Sequence, residues 1–145
     1  MKRFFGFLVA VFFVVGVIGF SGISSVCLAG DVAPVLALGT PLVKADKKAS
    51  VVIMGSGFKP GEELSVLVTD ENGLQTDIGY ALKPVPKPDA TGTFATTWNA
   101  GRFVSKKIIG VGACKITVTD AEYNPVAHTV VFFQKVEKKD DKKKK

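Results

Sequence analysis

The chain has 145 residues, 47% of them hydrophobic, with 15 glycines, two cysteines and a formal net charge of +6. That length allows one folded domain with an ordinary core and excludes a multidomain enzyme. The averages conceal a division, because residues 1–29 hold six of the eleven phenylalanines and one of the two cysteines.

Lys2 and Arg3 precede an uncharged run from Phe4 to Phe20, and Ser21, Gly22, Ser24 and Ser25 lead to Cys27-Leu28-Ala29. A positive end, an apolar segment and small residues at a cleavage site are the layout of a secretory signal. Residues 1–29 are therefore read as a signal peptide cut after Ala29, and the protein as exported to the periplasm, the cell surface or the medium. An uncleaved anchor is the alternative, since the apolar run exceeds the usual ~7–15 residues of a signal's central region. Lipidation of Cys27 is disfavoured because Ser24-Ser25-Val26 lacks an aliphatic-small-small pattern. Cleavage leaves Cys114 as the sole thiol, so no internal disulfide is expected and Cys114 reads as a buried small hydrophobe.

From Asp31 onward Gly and Pro recur too often for long helices, and the intervening segments are rich in Val, Ile, Thr and Phe. Strands are expected at Val35–Leu38, Ser50–Gly55, Glu63–Thr69, Thr76–Leu82, Thr93–Trp98, Cys114–Thr119 and Val126–Lys135, with Leu42–Lys44 and Phe103–Ile109 as weaker candidates. Leu64, Val66 and Val68 should face one way and Ser65 and Thr69 the other. Cys114, Ile116 and Val118 should likewise oppose Lys115, Thr117 and Thr119, as in a half-buried antiparallel sheet. Phe94, Thr96 and Trp98 share a face, so Trp98 reads as core. The strand from Val126 is apolar on both sides through Val130, Val131, Phe132 and Phe133, as a central strand or one covering a partner would be. Reversals are expected at Phe58-Lys59-Pro60-Gly61, Asp70-Glu71-Asn72-Gly73, Asp89-Ala90-Thr91-Gly92 and Ala121-Glu122-Tyr123-Asn124-Pro125. About seven short strands point to a two-sheet sandwich over residues 30–134, with a small closed barrel as the other arrangement.

The tail, residues 135–145, contains seven lysines against Glu137, Asp140 and Asp141, whereas residues 30–134 hold ten basic and ten acidic side chains. The high isoelectric point thus belongs to the tail, and the body gives no charge-based reason to expect nucleic-acid binding. With almost nothing apolar in it, the tail is expected to be disordered. Lys138, Lys139, Lys142, Lys143, Lys144 and Lys145 could add weak, salt-sensitive attraction to an anionic surface.

Catalytic chemistry finds few residues. A thiol nucleophile needs a base within hydrogen-bond reach. With Asp120 opposite Val126, His128 and Cys114 share a face but stand four residues apart along the ladder, roughly 13 Å at ~3.3 Å per residue. One histidine and one remaining thiol do not supply a zinc set. Asp70, Glu71 and Asn72, or Asp120, Glu122 and Asn124, are oxygen donors of the kind calcium takes, but the spacing of a calcium loop is missing and such residues also hydrogen-bond their own turns. No cofactor is expected. Trp98, Tyr80 and Tyr123 are the aromatic candidates for a ligand platform, the tyrosines more exposed.

The run Val51-Val52-Ile53-Met54-Gly55-Ser56-Gly57-Phe58-Lys59-Pro60-Gly61-Glu62, the segment Asp89-Ala90-Thr91-Gly92-Thr93-Phe94 followed by Trp98, and the last hairpin from Gly112 through Asp120, Asn124 and Ala127 resemble immunoglobulin-like domains of bacterial extracytoplasmic proteins. The resemblance covers most of residues 49–133 and departs at Cys114, where such domains often carry an aromatic residue, and at Tyr123, where the last turn often has Gly. It implies an all-β, immunoglobulin-like antiparallel sandwich of about seven strands. The function expected from the whole sequence is a non-catalytic, secreted or envelope-associated structural or recognition module whose partner is a protein or envelope polymer. Lys59, Asp70, Glu71, Asn72, Glu122 and Tyr123 are its candidate contact residues. A carbohydrate-binding module using exposed aromatics and calcium is the alternative, and the exposure of Trp98 separates the two.

Overall fold

A computed structural model describes residues 33–136. Residues 1–29, read from sequence as a signal peptide, and the tail lysines Lys138, Lys139 and Lys142 to Lys145, read as an anionic-surface contact, lie outside the described residues. Nine strands form two sheets: β1 (Val35–Leu38), β2 (Leu42–Lys44), β3 (Ser50–Ser56), β4 (Ser65–Thr69), β5 (Gln75–Asp77), β6 (Leu82–Lys83), β7 (Phe94–Asn99), β8 (Gly112–Thr119) and β9 (Pro125–Gln134). A 3-10 turn (Gly79–Ala81) follows β5, and a short helix α1 (Gly101–Ser105) follows β7. The first sheet has the order β1-β3-β7-β6 and the second β2-β9-β8-β4-β5.

Alternation along the strands makes the core. In β3 and β7 every second residue is buried, which turns Val51, Ile53, Phe94, Thr96 and Trp98 inward. From the second sheet Val66, Val68, Cys114, Ile116, Val118, Ala127, Val131 and Phe133 meet them in one continuous cluster. Trp98 of the first sheet lies edge-on to Phe133 of the second, ring centroids 6.0 Å apart, so the facing layers are in direct contact. Each such fully buried large side chain contributes about 1.5–3 kcal/mol. The buried hydroxyl of Thr96 is satisfied by donating to the Pro84 carbonyl, on the far side of the cis Lys83-Pro84 bond.

Four features differ from the sequence reading. Thr76–Leu82 is not one strand: β5 pairs with β4 in the second sheet, β6 pairs with β7 in the first, and the 3-10 turn carries the chain between them. Phe103–Ile109 is not a strand, because α1 and the turn after it occupy that segment. The sheets are not purely antiparallel, since β2 runs parallel to β9. The described residues hold nine strands rather than about seven. The strand from Pro125 is indeed internal, between β2 and β8, with Val131 and Phe133 inward and Val130 and Phe132 partly exposed outward.

Candidate functional site

Three reversals share one local structure. In Asp70–Leu74, Asp89–Thr93 and Asp120–Asn124 the fourth residue donates its N–H to the first carbonyl at 3.1, 3.0 and 3.1 Å, and the first residue donates its N–H to the fifth carbonyl at 3.1, 2.8 and 3.1 Å. The aspartate Oδ1 accepts the third and fifth N–H groups in every case, at 2.7–3.1 Å. The fourth residue has positive φ: Gly73, Gly92 and Tyr123. This is a tight turn closed by a left-handed residue. Charge-assisted hydrogen bonds hold each carboxyl below its ordinary pKa. The leading contributor is the Leu74 N–H for Asp70, the Thr91 hydroxyl for Asp89 and the Asn124 side-chain amide for Asp120. Of the oxygens read from sequence as potential calcium donors, those of Asp70 and Asp120 are thus engaged by their own loops, and Glu122 Oε2 accepts the Asn124 side-chain amide. The D-x-x-G/Y-x spacing that marks all three turns was present in the sequence.

The candidate contact residues fall at opposite ends of the domain and do not form one site. Lys59, Glu122 and Tyr123 belong to the end carrying the 57–64, 84–93 and 120–124 loops. There the Phe58 N–H donates to Gly92 and the Gly61 N–H to Pro88, at 3.1 and 2.9 Å, and Lys59 helps to lower the pKa of Asp120. A shallow cleft of about 430 Å³ runs between Glu62, Glu63, Val85, Lys87 and Tyr123. Asp70, Glu71 and Asn72 lie at the other end, around a recess of about 140 Å³ shared with Lys107, Gly112 and Cys114.

The thiol and the imidazole are farther from cooperation than the expected register implied. A bulge between Val118 and Thr119 shifts the last hairpin by one residue, so Cys114 pairs with Val131 and His128 with Thr117. A one-residue slip exchanges faces. Cys114 therefore points into the core while His128 is exposed on the outer face, correcting the shared face expected from sequence. Burial first, then the charges of Asp70 and Glu71, push the Cys114 thiol up to about 11.

Trp98 is fully buried and offers no ligand platform. Tyr80 does: 66% exposed, it lies against the buried Phe103 with ring centroids 5.7 Å apart and planes 30° from parallel. It borders a groove of about 520 Å³ whose floor is the outer face of β3, β7 and β6, through Ser50, Asn99, Thr97 and Lys83. Lys47 and Lys48 from the β2–β3 loop and Arg102 from α1 complete the walls. Sequence reading missed this groove because its cations come from segments far apart in the chain.

A scan of protein-family models and a search of curated proteins both find no match. Among solved structures, a tetra-tandem repeat in the extending region of a large adhesion protein is similar over 68% of this chain, at 16% identity and a TM-score of 0.41. The chain spans 24% of the length of that structure's chain.

Proposed function

We propose that the protein is an exported, non-catalytic immunoglobulin-like domain that serves as a structural or recognition module, binding an envelope polymer or a protein. Export rests on the layout of residues 1–29. The fold assignment is supported by strand order: β1-β3-β7-β6 and β2-β9-β8-β4-β5 correspond to A-B-E-D and A′-G-F-C-C′, the seven-strand immunoglobulin arrangement with an edge strand added on each side of the second sheet. Fold alone carries no function. The observation that favours recognition over catalysis is the separation of Cys114 and His128 by the thickness of a sheet, while polar side chains are presented on loops closed by aspartate hydrogen bonds. Contact would run through the loops and the outer sheet faces, with the lysine tail adding a screened attraction.

The test compares the full chain with one ending at residue 134 for binding to an isolated envelope fraction, at low salt and at ~0.5 M salt, where the screening length is only a few ångströms. Binding that survives both changes is the expected result and places a specific contact on the folded body. Binding that needs the tail and vanishes with salt would reduce the body to a spacer. No binding under any condition would remove the recognition reading.

A further inference from the structure

The body is electrically neutral in sum, yet its charge is not evenly spread. Of the ten basic residues in 30–134, four line the groove on the outer face of the first sheet: Lys47, Lys48, Lys83 and Arg102. Among the described residues no carboxylate lines it. The two nearest in sequence are turned to local work, since Asp46 Oδ1 accepts the Lys48 N–H and Asp77 Oδ1 accepts the Gly79 N–H, both at 2.7 Å. A recess walled by one sign of charge concentrates its field and selects anions. The floor between those cations is neutral but polar, with Ser50 paired to Asn99 and Thr97 paired to Lys83 across three adjacent strands. Strand spacing makes it about 10 Å wide, a flat bed of hydroxyl and amide groups.

Two features hold the groove in shape. Gly101 donates its N–H to Ala49 at 2.9 Å, and a Cβ at Gly101 would overlap the Lys47 carbonyl oxygen. The absence of a side chain there lets α1 sit directly against the 47–48 backbone and brings Arg102 beside the two lysines. Tyr80 is backed by Phe103, which is edge-on to Trp98 at 5.6 Å, so an unbroken series of rings fixes the exposed tyrosine to the core. An exposed aromatic ring preset in this way costs little ordering entropy on binding and offers an apolar surface to a flat ligand.

We infer that this groove binds an acidic polysaccharide. The cations meet the carboxylates, Arg102 being able to pair with one through two hydrogen bonds. The Ser50, Thr97 and Asn99 side chains meet the sugar hydroxyls, and the Tyr80 ring packs on the C–H face of a sugar. A purely electrostatic anion site would have no use for the backed aromatic ring, and a neutral-sugar site would have none for four cations without a carboxylate. This inference rests on reading the chain as a binding module and adds a ligand class to it.

The test uses the full chain and three probes: a hexasaccharide of uronic acid, a neutral glucan hexasaccharide, and a single-stranded oligothymidylate. Titration calorimetry at ~0.1 M salt should show saturable binding of the oligouronate and none of the glucan. Lys83→Ala with Arg102→Ala, and separately Tyr80→Ala, should each weaken binding about tenfold, corresponding to 1.4 kcal/mol. Circular dichroism of both variants checks that the fold is retained, and Tyr80→Phe should keep the affinity if stacking is the contact. Unchanged affinity in the groove variants would assign any uptake to the tail and overturn the inference, as would an intact response in Tyr80→Ala or tighter binding of the oligothymidylate. A chain that ignores the oligouronate but still binds the envelope fraction would sink the groove assignment and leave the wider module reading standing.

Discussion

At the scale of single residues, the three aspartate turns govern how the domain meets acid. Asp70, Asp89 and Asp120 all have pKa values below the ordinary 3.8, through hydrogen bonds that exist only in the folded chain. A depressed folded pKa contributes stability that is present above the unfolded value and is lost as pH falls through the folded one. Thermal unfolding midpoints should therefore hold level from pH 7 to about 5 and fall below about 4, where unfolded aspartates begin to protonate. Asp89→Asn should flatten that acid limb, measured by the midpoint at pH 7 and at pH 3. Tyr123 makes a different contribution. It holds φ 63° in the position that Gly73 and Gly92 take in the sister turns, with its side chain 62% exposed. A left-handed non-glycine residue costs roughly 1–2 kcal/mol, and glycine's extra unfolded freedom offsets roughly 0.5–1 of that. Tyr123→Gly should raise unfolding stability by about 0.5–1 kcal/mol, read from the urea midpoint at constant slope.

At the scale of elements, the strands with clean alternation were readable and those that change sheets were not. Val35–Leu38 and Leu42–Lys44 have the bounds expected from sequence, while β3, β7 and β8 shift by one or two residues, within ordinary boundary scatter. Thr76–Leu82 failed for a physical reason. Thr76, Ile78, Tyr80 and Leu82 would share one face of a continuous strand, yet Ile78 and Leu82 are buried and Tyr80 is exposed. Gly79 opens the 3-10 turn that rotates Tyr80 outward, and a glycine inside a strand pattern was the available signal. Phe103–Ile109 failed similarly, because a strand burying Phe103 and Ile109 would also turn Ser105 and Lys107 inward. In α1 the Val104 N–H instead donates to Ala100, and Ser105 Oγ donates to the Gly101 carbonyl. The groove depends on both misread segments, which is why it was not legible from sequence. Ile78, fully buried and donating its N–H to Val66 at 3.0 Å, is the hinge of the sheet crossing. Ile78→Ala should cost about 2–5 kcal/mol in urea unfolding, far more than Ile108→Ala on the partly exposed side of the next loop.

At the scale of the whole molecule, the two sheets cannot come apart independently, because their largest side chains are shared. Trp98 stands between Phe103 at one end of its own sheet and Phe133 of the other, and all three are essentially inaccessible. Separating the layers exposes this cluster at once, so a partly unfolded species retaining one sheet would forfeit most of the apolar burial that stabilises it. The single tryptophan makes that coupling measurable. In the native protein its emission should be blue-shifted and insensitive to iodide. On urea unfolding, the fluorescence transition should coincide with the far-ultraviolet circular dichroism transition, as a two-state change requires. Trp98→Ala should remove about 3–5 kcal/mol, a large share of the ~5–15 kcal/mol available to a domain of this kind, and lower both transitions together. A fluorescence change that precedes the loss of β signal would show that the layers part before the sheets melt. The groove would then stand on one sheet with its aromatic backing lost, and Tyr80 would no longer be fixed at the moment a ligand arrives.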